Sequence, residues 1–193
     1  MGGGSVTTTY EFDTLLAYST GPQQATDCAT LKAMFPGCVS VQKTTPEMDR
    51  TGVDYILTLR GGSEIRIDAK TRQEGASRFW TDGPELALEV WSVRPGGRYD
   101  TPMPQSKVGW TLCESKDVEY ILFTFAPADC AAAYLFPYQL LRIAFRQNYD
   151  QWGNQHKTDI QCSSRAHHRW QSECIFVPVS VVRNAIMTLM EKT

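Results

Sequence analysis

An α/β domain with a central mixed β-sheet flanked by helices is the fold this sequence predicts, from three observations. Val53-Asp54-Tyr55-Ile56-Leu57-Thr58-Leu59-Arg60 and Glu64-Ile65-Arg66-Ile67-Asp68-Ala69-Lys70 are two β-rich arms joined at Gly61-Gly62-Ser63, the pattern of a hairpin. Asp117 to Phe125 is a near-continuous apolar run, suited to a strand covered on both faces. Pro137 and Pro178 each stand between an apolar, strand-like stretch and a helical one, where proline fits the first turn.

The other elements follow in order. Tyr10 to Ala17 sets Phe12, Leu15 and Leu16 at helical spacing and predicts a short helix, broken at Gly21-Pro22. Residues 1–22 are therefore expected as a lead with a short helix, and residues 23–193 as a single α/β domain with C-terminal helical additions. Gln24 to Phe35 predicts a second helix, stopped by Pro36-Gly37. Cys38 to Gln42 alternates as a strand, and Thr44 to Thr51 reads as a polar loop. Beyond the hairpin, Thr71 to Gly83 is a polar loop with Arg72, Arg78 and Phe79-Trp80. Glu85 to Val93 alternates again, with Glu85, Ala87, Glu89 and Trp91 on one side. Arg94 to Ser106 is rich in Gly and Pro, and Lys107 to Trp110 re-enters regular structure. Tyr138 to Trp152 predicts a helix ended by Gly153, and Val179 or Ser180 to Glu191 another. Asn154 to Gln171, with Lys157, Arg165, His167, His168 and Arg169, reads as a loop able to face phosphates.

Composition narrows the class. At 193 residues and 42% hydrophobic, the chain can bury one full core. No run reaches the roughly 18 apolar residues of a membrane span. Met1 to Ser5 has no basic segment before an apolar one, so it reads as a flexible lead, not a secretory signal. Six cysteines never form a Cys-x-x-Cys pair, which favours reduced thiols in a cytoplasmic protein over a zinc ribbon or redox pair. His167-His168 beside Cys162 and Cys174 fits no familiar zinc spacing. The net charge is only -2, but it is unevenly spread: residues 142–193 hold seven Lys and Arg against four Asp and Glu. Residues 60–107 hold eight against seven, and the remaining segments four against ten. A basic side can thus coexist with an acidic back.

The hairpin carries the chemistry. If Arg60 faces Glu64 across a three-residue loop, Asp54 falls opposite Lys70 and Ile56 opposite Asp68. Asp54, Asp68 and Lys70 then share one face, and Val53, Tyr55, Leu57, Leu59, Ile65, Ile67 and Ala69 the other. Two carboxylates beside an ammonium suit a hard divalent cation such as Mg²⁺, which takes one or two carboxylates and completes its shell with water and substrate oxygens. With the lysine orienting or activating the attacking water, this is phosphodiester hydrolysis in outline.

These residues resemble the PD-(D/E)XK nuclease superfamily. Gly52-Val53-Asp54 stands in place of the Pro-Asp element, and Asp68-Ala69-Lys70 is the acid-any-lysine element. The likeness spans residues 25–125; it lacks the proline before Asp54 and has Asp where Glu is commoner at position 68. It implies a restriction-endonuclease-like core of αβββαβ type and a metal-dependent nuclease, acting on DNA, with Asp54, Asp68 and Lys70 as catalytic residues. Asp54, Asp68 and the Ala69 carbonyl are the implied ligands of Mg²⁺, for which Mn²⁺ can substitute. A helix before the first strand often carries a further acid in that family, here Asp27, with Glu11 second. The strand after the hairpin offers Glu89. Arg72, Arg78 and Lys107 are expected to contact nucleic acid. Two other readings compete: a catalytically silent nuclease-fold module binding nucleic acid or a partner protein, and an adaptor docking through exposed aromatics. Endonuclease or exonuclease action, DNA or RNA preference and a homodimer all stay open.

Overall fold

A computed structural model describes residues 9–11, 22–72, 83–95, 105–125, 132–165 and 168–192. The first half contains β1 (Thr9–Glu11), α1 (Pro22–Met34), β2 (Cys38–Lys43), α2 (Pro46–Asp49), β3 (Tyr55–Leu59), β4 (Glu64–Arg72) and β5 (Glu85–Val93). The second half contains β6 (Lys107–Val108), β7 (Tyr120–Phe125), β8 (Ala133–Pro137), α3 (Tyr138–Gln155), β9 (Lys157–Arg165), β10 (His168–Pro178) and α4 (Val179–Met190). The described strands form two five-stranded sheets, ordered β2-β3-β4-β7-β8 and β1-β9-β10-β5-β6. The first is mixed: β4 and β7 run parallel, and its other pairs are antiparallel. The second is antiparallel except where β1 lies parallel to β9.

Alternation along β3, β4 and β7 gives the mixed sheet two apolar faces. Tyr55, Leu57, Ile67 and Leu122 point toward Leu31 of α1 and close one core. Ile121, Phe123 and Phe125 join Leu86, Leu88 and Val90 of β5, Ile175 and Val177 of β10, and Leu141, Phe145 and Trp152 of α3 in a larger one. Residues 121–125 are all buried, as their near-continuous apolar run requires, Thr124 among them. Asp68 and Lys70 belong to the face turned toward the larger core, because they are out of phase with Ile67 and Ala69.

The two prolines stand where strand gives way to helix, as expected, but as the capping residue before the first turn and not within it. Pro137 (φ -58) and Pro178 (φ -53) immediately precede α3 and α4. The first helical N–H groups go outward, Tyr138 to the Glu119 carbonyl at 2.9 Å and Val179 to the Pro84 carbonyl at 2.8 Å. Gly153 does not end α3, which runs on to Gln155; a Cβ at Gly153 would rest 3.7 Å from Ile175 of β10, so that position marks close packing and not a stop.

Four further expectations are corrected. Tyr10 and Glu11 are strand, paired with Ser163 and Ser164 of β9, while residues 12–21 lie outside the described residues. Pro46–Asp49 forms one helical turn within the expected 44–51 loop. Most of the expected loop at 154–171 is the β9–β10 hairpin: its polar side chains conceal backbone satisfied on both sides of β9, by β1 and by β10. The hairpin register differs by two residues. Tyr55 pairs with Ile67 and Thr58 with Glu64, so Asp54 continues beside Asp68 and not opposite Lys70. Gly61 (φ 106) and Gly62 (φ 86) take left-handed conformations at the tip, and Leu59 N–H bonds the Ser63 carbonyl at 2.8 Å. An even shift preserves the faces. Among the described residues no helix is long and apolar enough to cross a membrane.

Candidate active site

The site is built where β3 stops pairing with β4. The next rung would join Val53 to Ala69, but the Ala69 N–H instead donates to Asp54 Oδ2 at 2.8 Å. Lys43, at the end of β2, donates to Asp54 Oδ1 at 2.8 Å. The Asp54 and Asp68 carboxyls stand close enough that each acts on the other's ionisation. Lys70 Nζ lies 2.6 Å from Asp68 Oδ1, and Lys116 Nζ 3.0 Å from Asp68 Oδ2. Three ammonium groups from three different parts of the chain thus surround two abutting carboxylates.

Environment drives the two acids apart. Burial acts to raise the Asp54 carboxyl, but the hydrogen bond from Asp68, the Lys70 charge and the bonds from Lys43 and Ala69 outweigh it and hold Asp54 well below the usual carboxylate range. Asp68 is 1% exposed. Burial pushes it up to about 6, against the pull of Lys70 and Lys116 and with help from its neighbour Asp54. Burial acts to lower the Lys70 ammonium, yet Asp68, Asp54 and Glu89 more than reverse this, so Lys70 keeps its proton. Lys70 is therefore equipped to orient water and offset negative charge, not to accept a proton at neutral pH.

A carboxyl-carbon NMR titration should accordingly show Asp68 changing with a midpoint near 6 while Asp54 stays ionised through the ordinary carboxylate range. Because the folded-state value for Asp68 is raised, its contribution to stability is complete below about 3.8 and is lost as pH rises through about 6. Asp54 has the opposite sign: its contribution is present above 3.8 and is lost as pH falls through its depressed folded value.

Lys116 was not among the residues singled out from sequence. It precedes β7, its side chain is 6% exposed, and it also donates to the Gly52 carbonyl at 3.0 Å. Gly52 has φ 86, and a Cβ there would overlap the Lys116 ammonium, so glycine supplies both the turn and the space. Gly52→Ala should cost about 1–3 kcal/mol from the backbone alone, read as a lower denaturation midpoint, and should also displace Lys116 from Asp68. Asp49 of α2 is a second residue not anticipated: burial, then the charge of Asp54 and a hydrogen bond with it, raise its carboxyl. Its signal in the sequence is only its place five residues before Asp54 in a polar stretch.

The other anticipated residues fall in different places. Asp27 is buried under α1, accepting from Gln23 at 2.8 Å and from the Tyr55 hydroxyl at 3.0 Å, on the sheet face turned away from Asp68. Gln23 also reaches Thr124, so this cluster fastens α1 to the sheet. Glu89 comes from β5 in the other sheet; it influences Lys70 and accepts from Ser92 at 2.6 Å and from the Trp110 N–H at 3.1 Å. Arg72 lays its guanidinium 4.8 Å from the Phe176 ring centre, between the sheets. Lys107 is exposed on the short edge strand β6. Arg78, Phe79 and Trp80 lie outside the described residues, and so does the Glu11 side chain.

Among the described residues, no three Asp, Glu, His or Cys are grouped to hold a metal ion unaided. Comparison with family models, with curated proteins and with solved structures returned no match to this chain.

Proposed function

We propose that this chain is a metal-dependent nuclease hydrolysing phosphodiester bonds in DNA. One observation carries the reading: Asp54, just before β3, and Asp68 of β4 stand close enough to shift each other's ionisation, with Lys70 2.6 Å from the second. The mixed-sheet order supports it, since α1, β2, β3 and β4, with only the single turn α2 inserted after β2, run in the helix-strand-strand-strand order expected of a restriction-endonuclease-like core, and β7 then lies parallel to β4. The crossover departs from that core: its described residues contain β5 and β6 of the second sheet in place of a helix. The free thiols Cys28, Cys38, Cys113, Cys162 and Cys174 favour a cytoplasmic setting.

The donor set fits a hard divalent cation. Two touching carboxylates offer only oxygen, and the buried Asp68 Oδ2 has no hydrogen bond among the described residues although Lys116 stands near it. Mg²⁺ or Mn²⁺ would be held by Asp54, Asp68 and the Ala69 carbonyl, and when bound would supply Lewis-acid polarisation of a phosphate oxygen and a more acidic water. The protein's own part is to fix geometry and charge. Asp54 stays ionised, Lys70 stays protonated and can hold the attacking water and offset charge developing on phosphorus, and Lys116 and Lys43 keep the two acids together.

A second reading, a silent module of the same fold, is favoured by one fact: Lys43, Lys70 and Lys116 already compensate both acids. Incubation of supercoiled and linear DNA with the protein across Mg²⁺ and Mn²⁺ concentrations separates the two. Nicked circles that need metal support internal cleavage; DNA left whole at every metal concentration ends the nuclease reading.

A further inference from the structure

Unpartnered polar groups collect around one segment of this structure, Trp110 to Lys116. Among the described residues, Asp68 Oδ2, Thr111 Oγ1, and Arg142 Nε and Nη1 are buried and have no hydrogen-bond partner. Lys116 ends the segment against Asp68, and the Trp110 ring lies 5.8 Å from Lys70 Nζ. The Tyr138 hydroxyl, one turn before Arg142 on α3, fastens the middle by sharing its single proton between the Trp110 carbonyl at 2.9 Å and the Cys113 carbonyl at 2.5 Å. Burial raises that hydroxyl, Cys113 and Asp68 add to the rise, and the Arg142 charge opposes it.

Arg142 is the least explained of these groups. A guanidinium presents five donors in a rigid fork, and buried donors without acceptors are rare in native proteins. Among the described residues the acid paired with it is Glu114, whose Oε1 is 3.9 Å from Arg142 Nη1, beyond hydrogen-bonding distance, and 2.8 Å from Arg146 Nη1. Glu114 is 67% exposed, whereas the Arg142 side chain is 18% exposed. An exposed carboxylate thus stands beside a largely buried guanidinium, with a second, more exposed guanidinium next to it. One carboxylate oxygen, Glu114 Oε1, faces both arginines; a backbone phosphate oxygen can take the same place, and arginine suits phosphate through its N–H donors.

We propose that Arg142 and Arg146 form a phosphate-gripping subsite for the nucleic-acid strand that enters the Asp54–Asp68–Lys70 centre, and that Glu114 occupies it until a phosphate displaces it. The ligand class rests on the nuclease reading. The geometry of the orphaned guanidinium does not.

The test is binding of a short fluorescent DNA duplex, by anisotropy, in EDTA so that no cleavage occurs, across a series of salt concentrations. Glu114→Gln should bind about 3- to 10-fold tighter, since a competing charge is removed. Arg142→Gln should bind about tenfold more weakly, with the slope of log affinity against log salt reduced by about one. The double variant should bind as weakly as Arg142→Gln, because Glu114 acts through that arginine. Unchanged or weaker binding by Glu114→Gln overturns the proposal, and that exposed substitution keeps the test available should Arg142→Gln fold poorly. Well-folded Arg142→Gln with wild-type affinity and slope also overturns it, and metal-dependent cleavage by the wild-type chain would then leave the nuclease reading standing. Absence of salt-dependent binding by the wild-type chain removes both.

Discussion

Asp54→Asn and Lys70→Ala should each lower metal-dependent DNA cleavage by about a thousandfold or more, with circular dichroism unchanged from wild type. Asn at position 54 retains an oxygen for the Ala69 N–H and keeps the side chain's shape, so the end of the hairpin is preserved while the charge that Lys43 and Lys70 answer is lost. Lys43 is partly solvated, so its lost pairing should cost stability little. Lys70→Ala leaves Asp68 Oδ1 without its ammonium but leaves Lys116 on the other oxygen. Both variants thus remove charge from where a phosphorane would form and leave the apolar layers intact. Cleavage at the wild-type rate by either purified variant would overturn the assignment of these residues.

Lys116→Met should lower stability by about 3 kcal/mol at pH 8, the scale on which removing one member of a buried ion pair acts. Asp68 is fully enclosed and would retain only Lys70 as a compensating cation. The sign with pH follows from the carboxyl. Its folded value, already raised to about 6, should climb further once one of its two cations is gone, so protonation relieves the defect as pH falls. Denaturant titrations at pH 8 and pH 5 should therefore show a large loss at the first and a smaller one at the second. Adding Asp68→Asn to Lys116→Met should restore part of the loss at pH 8. A loss of equal size at both pH values would show that Lys116 acts through packing of its stem and not through charge.

What the sequence made legible was the material with local period. The hairpin, β5, β7, both proline joints and the faces of Asp54, Asp68 and Lys70 all follow from alternation and breakers within about ten residues. The register was not legible because it depends on which of Gly61, Gly62 and Ser63 sits at the tip, and the faces survived only because the difference is even. β9 and the first part of β10 were hidden because strands such as Lys157-Thr158-Asp159-Ile160 carry few apolar residues, and their order comes from neighbours supplied by distant segments. Lys116 and Arg142 were out of reach for a similar reason. A lysine in a stretch reading Glu-Ser-Lys-Asp looks like solvated surface until β7 carries it against Asp68, and an arginine one turn into a helix looks ordinary until Glu114 fails to reach it. Asp27 shows the converse: an acid in the expected helix whose two oxygens are taken up in attaching that helix to the sheet.

The parallel β4–β7 pairing has a consequence for how the molecule is made. Lys116 follows Asp68 by 48 positions, so a nascent chain exposes the β3–β4 hairpin, with one flank of β4 unzipped, well before β7 leaves the ribosome. Meanwhile water hydrates Asp68 at no cost, and its negative charge discourages another polypeptide from annealing along that flank. When β7 docks, the ammonium arrives with the strand, so the carboxylate is dehydrated only as its counter-ion comes into place. Closure over so long a separation is slow, and a chain truncated between residues 72 and 116 should be retained by chaperones or aggregate instead of reaching a native state.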